Sequence, residues 1–183
     1  THPYNKARSK IGLYYFRFFP KSFFFMDSLP GFFISTDNTK LDVRYVHQYL
    51  SKESYWAKNI PLATVTKSIN GSRCYGIYHL QPGEQAPVQA GFARVITDGA
   101  TFGYLADVFI DPAHRGKGLG KWLMQNIMQD PELQGFRRWM LATRDAHGLY
   151  SQFGFAPLER PERFMRYSLF DEYPATPAGD EQV

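Results

Sequence analysis

The chain reads as a single α/β domain, on three observations. Short apolar strand patterns alternate with helical ones from residue 31 onward. An Asp98-Gly99 pair joins two long strand patterns as a hairpin. A basic, glycine-rich turn at residues 115–120 lies between an apolar strand and an amphipathic helix. The 183 residues, 44% hydrophobic and 21% charged, suffice for one core and have the balance of a globular chain.

The elements follow in order. Residues 31–35 are a short first strand. Asp37, Asn38 and Thr39 offer helix caps, and Asp42 stands three residues after Thr39, as in an imperfect capping box. Leu41, Tyr45 and Tyr49, with Val43, Val46 and Leu50, keep helical spacing. Pro61 opens a second helix that runs to about Ser68, and Asn70-Gly71 turns the chain. Residues 73–80 are the second strand, and Gln81-Pro82-Gly83 a turn. Val88–Thr97 and Phe102–Ile110 are the strands of the hairpin. Leu119, Leu123, Ile127 and Met128 form the buried stripe of the next helix. Asp130-Pro131 ends it, because the residue before proline is pushed out of helical geometry. Residues 138–142, 156–157 and 163–168 read as later strands. The tail from Glu172, rich in Pro, Gly, Ala and acid, reads as disordered.

Charge separates the ends from the middle. Residues 1–25 hold Lys6, Arg8, Lys10, Arg17 and Lys21 and no acid, so removing that +5 from the chain's +4 leaves −1 for residues 26–183. The basic balance therefore belongs to an aromatic N-terminal segment and does not describe the domain's ligand. Arg17, Pro20 and Lys21 break its apolar run before it reaches the roughly 20 residues that a spanning helix needs. The expected organisation is an extension at 1–25 of non-native or upstream-translated origin, a domain at 26–171 and a tail at 172–183. No membrane or nucleic-acid partner is expected. Cys74 is the one cysteine, so no internal disulfide forms. Its apolar strand makes it a packed thiol, which fits a reducing, cytoplasmic location. The histidines have no Cys or His partner at ligand spacing, and no metal is expected.

Chemistry concentrates in residues 108–123, Val-Phe-Ile-Asp-Pro-Ala-His-Arg-Gly-Lys-Gly-Leu-Gly-Lys-Trp-Leu. Closely spaced glycines let successive N–H groups face one anion, and the following helix adds its free N–H groups and dipole. Arg115, Lys117 and Lys121 are expected to place charge at the rim. Trp122 after Gly120-Lys121 removes the hydroxyl that a nucleotide-hydrolysing P-loop needs. Lys121 stands where a dinucleotide fingerprint needs its third glycine. What remains is Arg115-x-x-Gly118-x-Gly120. This resembles the acetyl-CoA pyrophosphate loop of the GNAT N-acetyltransferase superfamily. A second segment, Tyr150-Ser151-Gln152-Phe153-Gly154-Phe155, matches that family's Tyr-x-x-x-Gly-Phe helix end. The likeness is close over residues 86–170 and looser over 32–85, and is to the small bacterial-type members.

The resemblance implies an α/β (α+β) fold with a mixed, mostly antiparallel sheet, flanked by helices and splayed between its fourth and fifth strands. Acetyl-CoA would be the co-substrate, with no metal. Its pantetheine arm would pair with the main chain of Val108, Phe109 and Ile110, and its pyrophosphate would meet Arg115, Gly116, Lys117, Gly118, Leu119 and Gly120. Thr143 falls where many members have Asn. Tyr150, a phenol with a pKa of about 10, would protonate the departing CoA thiolate. The base is open. Asp107 is the acid on the fourth strand, and a structural Asp bonded to a loop competes with that role. Ala106 stands where some relatives carry a Glu; Tyr104, His79 and solvent are further candidates. The acceptor would be a primary amine on a small molecule or peptide, met by loop 54–58. Competing readings are a non-catalytic acyl-CoA-binding module or sensor, and a nucleic-acid-binding module. A monomer and a homodimer are both compatible with the sequence.

Overall fold

The computed structural model describes residues 29–80 and 83–174. Five strands form one sheet in the order of the chain. β1 (Phe32–Ser35), β2 (Arg73–His79), β3 (Val88–Thr97) and β4 (Phe102–Ile110) run antiparallel, and β5 (Arg138–Met140) lies parallel to β4. The β3–β4 hairpin is set by Asp98. Its carboxylate accepts from the N–H groups of Ala100, Thr101 and Phe102 and from the Thr101 hydroxyl. These bonds hold that exposed carboxyl well below the usual range.

Helices cover both faces. Asp42 caps α1 (Val43–Gln48) by accepting from Tyr45 N–H at 2.9 Å, and the helix runs on as a π-turn over Tyr49–Glu53. Asp37 caps a short 3-10 turn, Asn38–Lys40, ahead of it. α2 (Leu62–Asn70) starts behind Pro61 and stops at Gly71. α3 (Leu119–Gln129) follows the glycine-rich turn, and α4 (His147–Tyr150) is a single turn after β5.

Strand alternation sorts the apolar residues into two cores. Tyr75, Ile77, Val95 and Leu105 face α3, whose Leu119, Leu123 and Ile127 are buried together with Trp122 and Met124. Cys74, Phe92 and Phe109 face Val46, Leu50, Val65 and Ile69 of the α1–α2 layer. Each such side chain removed from water contributes roughly 1.5–3 kcal/mol. Cys74 is packed, and burial raises its thiol pKa to about 12.

Three expectations change. The first strand begins at Phe32, with Gly31 in a left-handed turn at φ 77°. The strand pattern at 138–142 ends at Met140. Residues 156–157 and 163–168 form no strand: Pro161–Arg163 is a 3-10 turn, and the chain beyond it lies exposed without a ladder partner. Pro157 and Pro161 lack the N–H that a ladder there would need. Tyr173 sits against the second core, and its carbonyl accepts from Asn59 Nδ2 at 3.5 Å. The extension at 1–25, the turn residues Gln81 and Pro82, and the tail from 175 lie outside the described residues.

Candidate active site

The site begins with one extra residue in β4. Phe92 pairs with Phe109 and Arg94 with Ala106, so β4 spends three residues where β3 spends two. Asp107 takes the slack at φ 52°, a left-handed conformation that Asp tolerates better than most residues. The insertion puts Leu105 and Val108, three apart, on the same face. β5 pairs with β4 only at Phe102, Gly103 and Tyr104. The bulge follows, and from there β4 pairs with no strand on the β5 side among the described residues. The sheet is splayed where the resemblance implies.

The free edge is readable from one bond. Asp111 donates its N–H to Ala90 of β3 at 2.9 Å. The two-residue period of a strand then turns the main-chain groups of Ile110 and Val108 to the open side. Phe109 points its ring the other way and stacks on Tyr49 at 3.8 Å and 6°. An amide-bearing arm lying along this edge would meet main-chain donors and acceptors, while Val108 and Ile110 pack below it.

The glycine turn is a cradle. Gly116 and Gly118 sit at φ 77° and 81°, and a Cβ built on either meets nothing within 4 Å. Gly118 caps α3 without a side chain and so offers none of its own to the first N–H groups of that helix. Leu119 is buried beneath, and Gly120 packs toward Leu149 and Ile110. Arg115 is exposed and is also held from within the fold. Its Nε donates to the Ile110 carbonyl at 3.1 Å and its Nη2 to the Tyr49 hydroxyl at 2.9 Å, so the guanidinium ties the loop to β4 and the helical layer. Lys117 lies 3.4 Å from His114 Nδ1 and over the Phe32 ring. Burial, and then the charge of Lys117, lower the His114 pKa. His79 belongs to the same ring cluster, stacked on Phe32 at 4.3 Å.

Across the splay stand Tyr150 and the β5–α4 loop. Tyr150 is 8% exposed and packs edge-on to Phe155. Among the described residues no group bonds its hydroxyl, and that oxygen is not sealed from solvent. Burial, with Tyr55 and Asp145 nearby, pushes its pKa up to about 12. Thr143 Oγ1 accepts from Ala146 N–H at 3.0 Å, which closes the turn that leads into α4. The Tyr55 hydroxyl accepts from Arg144 N–H at 2.9 Å, and the Arg144 guanidinium lies 3.7 Å above the Tyr55 ring. Loop 54–58 and the β5–α4 loop therefore touch over the cleft.

Asp107 is not a free carboxylate. One oxygen accepts from Arg94 Nε at 2.5 Å and the other from Trp56 Nε1 at 3.0 Å, with the carboxyl side chain 8% exposed. Arg94 also donates to the Ser72 hydroxyl. Trp56 thereby fixes loop 54–58 to the bulge.

A family model described as an acetyltransferase (GNAT) domain matches residues 71–157, from β2 to just past α4. A crystal structure from Xanthomonas campestris pv. campestris, assigned to the acetyltransferases of the GNAT family, is 47% identical. It superposes with a TM-score of 0.70, over 78% of this chain and 96% of that one. This chain belongs to the GNAT acetyltransferase superfamily. A Gibberella zeae protein assigned as an acetyltransferase is 35% identical over 137 residues, 66% of this chain and 76% of its own. More distantly, a Mycobacterium tuberculosis protein crystallised with CoA shares the fold at 16% identity and a TM-score of 0.54, over 69% of this chain and 73% of its own.

Three contacts of this GNAT domain were out of reach of sequence reasoning: Trp56 to Asp107, Tyr55 to Arg144 and Tyr49 to Arg115. They join residues 51, 89 and 66 positions apart. The one hint was the density of aromatics at 54–56.

Proposed function

We propose that this protein transfers an acetyl group from acetyl-CoA to a primary amine by direct attack, without an acyl-enzyme. The observation that carries the proposal is the pairing of an open β4 edge with the Tyr150 hydroxyl on the opposite wall. The CoA bound by the distant Mycobacterium tuberculosis relative supports acetyl-CoA as co-substrate.

The residues present fit that co-substrate. The main-chain groups of Val108 and the N–H of Ile110 would hold the amide arm, the Ile110 carbonyl being engaged by Arg115. The N–H groups around Gly116, Gly118, Leu119 and Gly120 would face the pyrophosphate, where the glycines leave room that side chains would fill. Thr143 would lie beside the arm, with its hydroxyl proton still free to donate. In the transfer a C–N bond forms, the C–S bond breaks, and sulfur takes the leaving electron pair. Tyr150 supplies a proton to that sulfur and regains one from solvent. Its raised pKa keeps it protonated across the neutral range. A strand N–H beside the bulge would polarise the carbonyl.

Asp107 serves in this reading as the anchor of the bulge and not as the base, because both its oxygens are already engaged. Solvent takes the proton from the amine. The acceptor enters beside Tyr55, Trp56 and Arg144. Arg94 and Arg73 are committed to Asp107 and Asp130, whereas Arg144, whose one ion pair among the described residues is with the exposed Asp145 beside it at 3.6 Å, keeps its guanidinium in solvent at this mouth. Its charge favours an amine that also carries a carboxylate.

Calorimetry with acetyl-CoA, followed by thiol release over a panel of amines with and without carboxylates, tests the reading. Micromolar acetyl-CoA binding with amine-dependent thiol release is expected. Binding without release from any amine favours the acyl-CoA sensor. No binding to any acyl-CoA removes both.

A further inference from the structure

Two tyrosines of the helical layer hold the two ends of the turn that enters the glycine cradle. Tyr45 and Tyr49 stand one helical turn apart on α1 and its π-turn, and so on one face. The Tyr45 hydroxyl donates to Asp111 Oδ2 at 3.0 Å, just past the end of β4. The Tyr49 hydroxyl accepts from Arg115 Nη2 at 2.9 Å, directly ahead of Gly116. Between these posts Pro112–His114 is a 3-10 turn, capped by Asp111 Oδ1 on the Ala113 N–H at 2.9 Å. Both rings lean on Phe109, Tyr49 face to face at 3.8 Å and Tyr45 tilted at 5.9 Å. Beyond Arg115 the backbone passes through Gly116 and Gly118, both left-handed, where a built Cβ meets nothing within 4 Å. The facing of their N–H groups is therefore set from the two ends, by Arg115 before them and by the buried Leu119 after them.

We propose that Tyr49 is a positioning residue for the pyrophosphate of acetyl-CoA, acting through Arg115. The inference rests on the acetyl-CoA reading above and deepens it. An exposed arginine ordinarily samples many rotamers, and fixing it on a ligand costs entropy. Here that cost falls on folding. Of the five N–H donors of the guanidinium, two are already committed, one on Nε to the Ile110 carbonyl and one on Nη2 to Tyr49. The remaining donors form a planar fork whose orientation is fixed before any ligand arrives, the arrangement that suits phosphate oxygens. The fixed point is a good one. Tyr49 is buried, 7% exposed, and its ring cannot swing because Phe109 covers its face. A residue that reads in sequence as a core aromatic of α1 thereby belongs to the nucleotide end of the site.

Tyr49→Phe keeps the ring on Phe109 and removes only the oxygen. The test titrates the full chain by calorimetry with acetyl-CoA and, separately, with 3′-phospho-ADP, the half of the co-substrate that carries the pyrophosphate and lacks the amide arm. Tyr49→Phe is expected to weaken both ligands by the same factor, about five- to tenfold. The urea midpoint should hardly move, because the exposed Arg115 exchanges its lost partner for water. In an Arg115→Met background, Tyr49→Phe should add less than about twofold, because its effect passes through that guanidinium. A loss confined to acetyl-CoA would make Tyr49 a support of the β4 edge through Phe109 and overturn the proposal. So would parental affinity for both ligands in Tyr49→Phe, or a loss that persists undiminished without Arg115. A parent chain that binds neither ligand would remove the acetyl-CoA reading itself, and this inference with it.

Discussion

Replacing Asp107 separates an anchor from a base, and the structure sets the size of the effect. Asp107→Ala leaves Arg94 without its counter-charge, and orphaning one member of a buried pair costs about 3–5 kcal/mol. The Arg94 side chain is 15% exposed and keeps Ser72, which moves the cost toward about 2–4 kcal/mol. Alanine at φ 52° adds about 1 kcal/mol. The total, about 3–5 kcal/mol, is a large part of the 5–15 kcal/mol that holds a domain together. Asp107→Asn is the informative partner. It keeps the tolerance for a left-handed backbone and one acceptor oxygen, so about 1–2 kcal/mol is lost. Urea midpoints at constant slope measure stability. Thiol release with an accepted amine measures turnover. An anchor predicts that D107N keeps turnover within about tenfold, whereas loss of a general base removes about 10²–10⁴. Adding Arg94→Met to D107A should recover about 2 kcal/mol, because no charge is then stranded. D107N that folds as well as the parent but loses a hundredfold in turnover would refute the anchor.

Tyr150→Phe should lower kcat by about 10²–10⁴ while acetyl-CoA affinity by calorimetry stays within about threefold; an equal loss in both would make Tyr150 a packing residue. Gly118→Ala meets open space but forces φ 81°, so about 1–2 kcal/mol of stability is expected to go. Its methyl group also projects into the cradle and should weaken acetyl-CoA binding at least tenfold, and unchanged binding would place the phosphates elsewhere. Alkaline pH should unfold the domain early. Burial raises Cys74 from 9.0 to about 12, and Tyr78 and Tyr150 from 10.0 to about 12, so the unfolded chain releases these protons first. The stability they carry is complete below about pH 9 and is lost between about pH 9 and 12. Urea midpoints that stay flat to pH 11 would contradict this.

What could be read from the sequence was what neighbouring residues decide. The Asp98-Gly99 turn bounds β3 and β4 because Asp98 collects N–H groups within four residues of itself. The glycine loop was legible because its glycines and its helix are contiguous. The partners of Arg115, Ile110 and Tyr49, were not legible, because they belong to a strand edge and a helix that only the fold brings to it. The strand at 163–168 was expected on its alternation, which is present. A strand also needs an edge to pair with, and that lies outside the period of its own residues.

The bulge joins the two halves of the site. Without an extra residue after Ala106, β4 would run straight and could continue pairing with β5 past Tyr104, closing the space that the co-substrate needs. An inserted residue in a left-handed conformation persists only if something holds it. Here the holder is a carboxylate pinned from two sides, by Arg94 of the adjacent strand and by Trp56 of loop 54–58. The same two bonds thus keep the cleft open and fix the loop that forms its far mouth. Tyr55, one residue before Trp56, then reaches Arg144 on the wall that carries Tyr150. Loosening Asp107 should therefore blur acceptor discrimination together with stability, whereas loosening Tyr55 by Tyr55→Phe should raise the acceptor KM and leave both acetyl-CoA affinity and the urea midpoint nearly unchanged. A fall in acetyl-CoA affinity on Tyr55→Phe would mean that the two loops grip the co-substrate and not the acceptor.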